Sequence, residues 1–197
     1  MMTVNDILQE LEQESQATRR VLERLPEQSL QWRPHPKSMS LGQLAMHVAN
    51  IPGRIAEIST ASFDASTPIP RPEADSTAQV LEAFEASMVQ ARQVLRAMSD
   101  SELSSPWRMM QGDRELWSIP RGAFLRSVML NHWYHHRGQF GPRHRKLARI
   151  ECFDRLARAD HGGNRLAAKA RLAFGEHRLV LDRRIDAESI RRHVACG

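Results

Sequence analysis

Four of the nine histidines in the chain, His47, His132, His135 and His136, fall in segments that read as helix. His132 and His136 are four residues apart, so both imidazoles lie on one helix face and can reach one point. Histidines at this spacing recurrently bind divalent metal ions. The pattern therefore predicts two metal ligands on this helix, and His135, directed toward the flank, is an alternative to His136.

A third ligand must come from another helix, and His47 is the best candidate because it borders the apolar stripe of Leu44, Val48 and Ile51. Three neutral imidazoles hold a zinc-like ion and leave one coordination position for water or substrate. Imidazole also suits nickel, copper and iron, and we expect zinc or nickel. The alternative, a core histidine satisfied by hydrogen bonds, stays open at this stage.

Two polar residues near these histidines are candidates for orienting a ligand or binding substrate. Asn50 lies one turn from His47 and orients it or caps a kink near Pro52. Arg137 faces an anionic substrate or, alternatively, is a solvated residue at a helix end. Three aromatic residues line a pocket or pack in the core: Trp107, Trp117 and Tyr134.

Apolar residues at steps of three and four predict the helices that position these side chains. The first helix covers Thr3 to Leu25, the second follows a cap at Ser40, and the third starts at Ser76. The fourth opens at Pro120-Arg121, and Gly141-Pro142 stops it.

The fourth helix should bury Phe124, Leu125, Val128 and Met129. The segment from Ser62 to Asp75 contains three prolines and is expected to be a long extended crossover. The irregular stretch from Ser99 to Pro120 allows a small hairpin around Gln111-Gly112-Asp113. These elements predict an all-α fold, a four-helix bundle with a long crossover connection.

The basic charge of the chain is confined to its end. The 197 residues carry a net charge of +5, but residues 1–140 contain 14 Lys and Arg against 16 Asp and Glu. The last 57 residues hold 14 against 7. We therefore expect a bundle domain over residues 1–142. Residues 143–197 are expected to be an arginine-rich C-terminal extension, weakly ordered and partly helical or disordered.

Several protein classes are excluded by composition. No apolar run approaches the roughly 20 residues that span a bilayer, and the acidic N-terminal segment is not a secretory signal. The two cysteines, Cys152 and Cys196, both lie in the extension, so we expect a cytoplasmic protein without structural disulfides in its main body. The sequence contains no Gly-rich phosphate loop and no evident Ser or Cys nucleophile set.

Two stretches of the sequence resemble the DinB/YfiT-like superfamily of helical-bundle metalloproteins: Leu30 to His47 (LQWRPHPKSMSLGQLAMH) and Asn131 to Gln139 (NHWYHHRGQ). The resemblance covers about residues 5–140, and the extension does not match the family. It implies a four-helix bundle with a metal site at His47, His132 and His136. Members are typically cytoplasmic and often dimeric, and they include transferases and isomerases that use low-molecular-weight thiols.

These observations lead to one main functional expectation. The protein is expected to be a metal-dependent enzyme, a thiol transferase or isomerase or a hydrolase, that acts on a small molecule and forms a homodimer. A low-molecular-weight thiol is a possible second cofactor. The alternative is a non-catalytic metal-binding or stress-response bundle that acts through partners. Nucleic-acid binding through the arginines of the extension is the weakest hypothesis, because no aromatic residues are interleaved with them.

Overall fold

The computed structural model describes residues 2–143 together with 146 and 147. The predicted extension, with both cysteines, lies almost wholly outside these residues. The helices are α1 (Val4–Leu22), α2 (Leu41–Ile58), α3 (Thr77–Ala97), α4 (Asp100–Leu103), α5 (Arg121–Phe124) and α6 (His132–Gly138), with a 3-10 turn at Glu27–Ser29. The strands are β1 (Phe63–Asp64), β2 (Pro106–Gln111) and β3 (Arg114–Pro120). The predominantly helical architecture is confirmed, whereas the four-helix bundle stays a prediction.

Serine and threonine caps set the starts of the three longest helices. The hydroxyl of Thr3 accepts from the backbone N–H of Asp6, and the Asp6 carboxylate accepts from Thr3 in return. Ser40 and Ser76 accept from the third backbone N–H of α2 and α3 in the same way. These bonds satisfy amides that lack a partner within the helix. The predicted cap at Ser40 and the predicted start of the third helix at Ser76 are confirmed, although α1 ends three residues before Leu25.

Helices α2 and α3 approach closely at a glycine. A Cβ atom placed on Gly53 would lie 2.7 Å from the backbone oxygen of Ser87, so a larger residue would force the helices apart. The Gly53 backbone N–H also donates to the Ser87 hydroxyl at 2.8 Å, within the buried interface. This contact fixes the position of α2, the helix that carries His47.

A small sheet corrects the all-α expectation. Strands β2 and β3 form the antiparallel hairpin that the sequence allowed, and Gly112 adopts φ +57° in its turn. Strand β1, from the proline-rich connection, pairs parallel to β2. Trp107 of β2 anchors the sheet, because its indole donates to the carbonyl of Ile58 at 2.9 Å and stacks on Phe124. Its partner carbonyl belongs to the last turn of α2, where backbone acceptors lack helical donors.

The fourth long helix is composite: α5, a π-helical segment (Leu125–Asn131) and α6 follow one another without a break. The wider π turn changes the helical register, so Val128 is only half-buried while Leu130 and Trp133 are fully buried. Phe124, Leu125 and Met129 are buried as predicted, so the correction to the apolar stripe concerns Val128 alone. The regular helix also ends earlier than expected, with a turn at Gln139. Residues 140–143 are helical again, so the predicted stop at Gly141-Pro142 is wrong.

None of the helices in the described part of the chain combines the length and the apolar character that crossing a membrane requires.

Candidate metal centre

The fold brings three histidines from two helices to one point. His47 extends from α2, and His132 and His136 extend from successive turns of α6. One ring nitrogen of each lies within 4.8 Å of the others, and the Nε2 atoms of His47 and His132 are 3.3 Å apart. Two nitrogen ligands of a tetrahedral zinc ion are separated by about 3.3 Å when each bond is roughly 2.0–2.1 Å. The three side chains can therefore hold a metal ion.

The π-helical segment supplies a hydrogen-bond acceptor for His132. The backbone N–H of His132 donates to the carbonyl of Met129, three residues earlier. In a regular α-helix it would donate to the carbonyl of Val128. The His132 ring has a hydrogen bond with the Val128 backbone, and its Nε2 faces His47. The ring nitrogen left for this bond is Nδ1. A backbone carbonyl on Nδ1 is the usual arrangement that leaves Nε2 free for a metal.

Gln139 plays a similar part for His136. Its side-chain oxygen lies 3.2 Å from Nδ1 of His136, and its amide nitrogen lies 3.0 Å from Nε2 of His135. This contact leaves Nε2 of His136 available. Sequence reasoning assigned no role to Gln139, although it closes the quoted NHWYHHRGQ stretch four residues after His135.

A proline and a tryptophan hold the two helices in register beside the histidines. Pro52 has no N–H, so it cannot donate to the carbonyl of Val48 four residues earlier. The indole of Trp133 donates to that carbonyl at 3.0 Å, and Trp133 is completely buried. Val48 follows His47 in sequence and Trp133 follows His132. The bond therefore fixes the two ligand-bearing segments relative to each other.

The environment keeps the three imidazoles neutral. Burial, followed by the nearby His136 and His132, lowers the pKa of His47 from 6.5 to about 4, and the cations Arg71 and Arg54 contribute further. Burial is also the main cause that lowers the pKa of His132 and of His136. Neutral imidazole is the form that binds a metal ion, so the rings need no deprotonation near neutral pH.

The histidines line a cavity of about 650 Å³. This volume is within the range of small-molecule sites. Its other walls come from one residue that precedes α2, from α2 itself, from the segment before α3, and from one residue of α3: Met39, Gln43, Met46, Asn50, Ile51, Arg54, Ile55, Ile58, Ile69, Pro70, Arg71, Pro72 and Gln90. No aspartate or glutamate is among the described residues that line it.

The remaining predicted site residues are placed differently. Asn50 lines the cavity, but its amide donates to the carbonyl of Met46 at 2.7 Å and not to His47. His135 is exposed and outside the three-histidine group. Arg137 does not reach the cavity lining, because it donates to the backbone of Glu14 on α1. The cavity lining also omits all three candidate aromatic residues: Trp107, Trp117 and Tyr134.

Comparison with known proteins finds a family model and solved structures that are similar to this chain. A family model of the DinB superfamily matches residues 10–140. The crystal structure of a DinB-like protein from Bacillus cereus ATCC 10987 superposes with a TM-score of 0.59 and 23% sequence identity, covering 74% of this chain and 93% of the other. At this identity the structural match supports the fold alone. No functionally curated protein matches the chain.

Proposed function

The chain belongs to the DinB superfamily, and from this premise we propose that it is an enzyme that binds one divalent metal ion through His47, His132 and His136. The single observation that carries the proposal is the convergence of three neutral, half-buried imidazoles on one point at the wall of a cavity. Zinc or nickel suits this all-nitrogen ligand set.

The proposed reaction uses the coordination position that three protein ligands leave open. Held by His47, His132 and His136, a divalent ion would supply Lewis acidity and would lower the pKa of a water or thiol that binds it. The residues of the chain then have separate tasks. Val128 and Gln139 fix the ring orientations, and isoleucines of α2 limit the access of water to the site.

A transferase or isomerase that uses a low-molecular-weight thiol, or a hydrolase, is consistent with this arrangement. The described cavity lining has no carboxylate that could act as a general base. Activation of the nucleophile would therefore depend on the metal and not on an acid–base pair of side chains. We also propose that the protein acts on a small molecule in the cytoplasm and that it forms a homodimer.

Elemental analysis of protein purified without chelators tests the metal site. We expect about one zinc or nickel ion per wild-type chain and almost none in H132A/H136A. H135A is a matched control from the same helix, because His135 lies outside the group, and its metal content should equal that of the wild type. Unchanged metal in H132A/H136A, or loss of metal in H135A alone, would contradict this ligand assignment.

A further inference from the structure

Two arginines line the same cavity as the histidines. Arg54 lies seven residues after His47 on α2, so it projects from the same helix face two turns later. Arg71 comes from the proline-rich segment that precedes α3. Both positive charges act on the His47 ring, since each contributes to lowering its pKa.

Neither arginine is neutralised within the part of the chain that the structure describes. No hydrogen bond or ion pair of the Arg54 or Arg71 side chain occurs there. The two glutamates near these arginines in sequence bond to other residues. Glu57 accepts from the Gln90 amide at 3.0 Å, and Glu73 accepts from Ser40 and pairs with a different arginine. The two guanidinium groups are therefore available to a ligand.

The cavity consequently has a positive electrostatic character. Its described lining contains two guanidinium groups and no aspartate or glutamate, and the three imidazoles carry no negative charge. A cleft lined by charge of one sign concentrates ligands of the opposite sign. Guanidinium groups bind carboxylate and phosphate groups in a bidentate geometry, so acidic head groups are the best chemical match.

The rest of the cavity wall is apolar. Ile51, Ile55 and Ile58 follow one another along α2, and Ile69 adds a fourth isoleucine from the segment that carries Arg71. Ile69 is 55% exposed, so much of its side chain is open to solvent at the edge of the wall. An apolar ligand body placed against these side chains would remove their surface from water.

We propose that Arg54 and Arg71 form an anion subsite for the carboxylate or phosphate head group of a small organic molecule whose apolar body contacts the isoleucines. The assignment of this molecule as the substrate rests on the proposed function, whereas the binding of the anion does not. Binding of the anion by the two arginines requires no metal. It can therefore be measured on the metal-free protein.

Isothermal titration calorimetry of the metal-free protein with eight-carbon probes tests the charge requirement. Octanoate and octyl phosphate separate the two acidic head groups, and octanamide and octylamine provide neutral and cationic controls. We expect at least one of the two anions to bind about tenfold or more tightly than octanamide, and octylamine not to bind. Acetate should bind more weakly than octanoate, since it lacks the apolar body.

Two variants assign the binding to the arginines. R54Q and R71Q should each weaken binding of the preferred anion by about tenfold, as expected for loss of a charge-assisted hydrogen bond. The double variant R20Q/R114Q removes two exposed positive charges outside the cavity and should bind like the wild type. R71Q alters an exposed side chain in an extended segment, so it remains informative even when R54Q does not fold.

The anion proposal and the metal proposal fail in different ways. Equal binding of octanoate, octyl phosphate and octanamide, no binding of either anion to the wild type, or wild-type affinity in R71Q and R54Q would overturn the anion subsite. Zinc content should stay unchanged in R54Q/R71Q. Absence of metal from the wild type, with arginine-dependent anion binding intact, would overturn the metal centre alone.

Discussion

The polar side chains on the two faces of α6 differ in whether they have acidic partners. On the face toward α2, His132 and His136 are neutral imidazoles beside a cavity whose described lining contains no carboxylate. On the face toward α1, Tyr134 and Arg137 bond to the side chains or backbone of acidic residues. One short helix thus carries a set of neutral nitrogen ligands and a set of charged pairs.

The α1 face is a closed network. Arg137 donates to the backbone oxygen of Glu14 at 3.1 Å and to the hydroxyl of Thr18 at 3.0 Å. The Tyr134 hydroxyl donates to Glu10 at 2.7 Å. Glu10 also pairs with Arg126 of the π-helical segment, which is the main cause that lowers its pKa. Opposite charges on this face therefore satisfy one another.

The α2 face lacks such compensation. Its imidazoles use one nitrogen for orientation and present the other to the cavity, while Arg54 and Arg71 have no acidic partner in the described chain. Titratable groups with shifted pKa values in a cleft mark candidate functional sites, whereas paired surface charges usually have a structural role. The comparison separates the face that we propose binds ligands from a face whose ion pairs and hydrogen bonds join α6 to α1.

The largest combined effect on stability and metal binding is expected for W133F. This change removes the indole donor that bonds the Val48 carbonyl in place of the missing Pro52 N–H, and leaves that buried acceptor without this bond. We expect a loss of about 1–3 kcal/mol in the free energy of unfolding of the metal-free protein, measured by urea denaturation. Zinc affinity should also fall, because the bond holds His47 and His132 in register.

W107F is the matched control for this prediction. It removes an indole donor from the Ile58 carbonyl at the C-terminal end of α2 and should lower stability by a similar amount. Its zinc affinity should stay at the wild-type value. Equal zinc affinities in the two variants would mean that the Trp133 bond does not position the ligands.

Q139L tests the orientation of His136 with a smaller effect. Loss of the contact to Nδ1 should weaken zinc binding by about tenfold, the lower end for residues that orient a metal ligand. Stability without metal should change little, since Gln139 lies at the end of α6. Competition with a chromogenic chelator measures the affinity. Wild-type zinc affinity in Q139L would assign the orientation of His136 to other contacts.

Acid should destabilise the metal-free protein through the α2 face. The pKa of His47 is about 4 in the fold and 6.5 as its ordinary value, so the unfolded chain binds more protons between these values. The free energy of unfolding should therefore fall as the pH is lowered from about 6.5 to 4, by on the order of 1 kcal/mol for a half-buried ring screened by solvent.

Two histidine variants test this pH effect, one at the half-buried His47 and one at the exposed His35. H47Q should flatten the dependence of stability on pH, whereas H35Q changes an exposed histidine and should preserve it. Urea denaturation at several pH values across this range gives the comparison. A slope in H47Q as steep as in the wild type would assign the acid sensitivity to other groups.

Local features of the site were predictable from sequence, whereas features formed across the fold were not. The caps at Ser40 and Ser76 and the spacing of His132 and His136 depend on neighbouring residues, so a helical pattern reveals them. The π-helical segment has no apolar signature of its own, and the two-residue strand β1 is too short to recognise. Both were therefore missed.

The functional environment of the histidines depended on tertiary contacts. The sequence left Arg137 open as a residue that binds an anionic substrate or as a solvated residue at a helix end, and the structure directs it to α1. Arg54 and Arg71 are the cations that line the cavity. Arg71 reaches it from a proline-rich connection whose path no periodicity predicts. A seven-residue spacing from His47 was the available signal for Arg54.

The smallest effect is expected on the α1 face, for R137Q. Arg137 is 20% exposed and Glu14 is 33% exposed, so their ion pair is partly screened and should contribute about 1 kcal/mol to stability. Zinc content and anion binding should equal those of the wild type. R108Q, which breaks the more exposed pair with Glu115, should change stability by less than about 0.5 kcal/mol. Loss of zinc in R137Q at unchanged stability would break the distinction between the faces, because a residue bonded to α1 would then control the cavity.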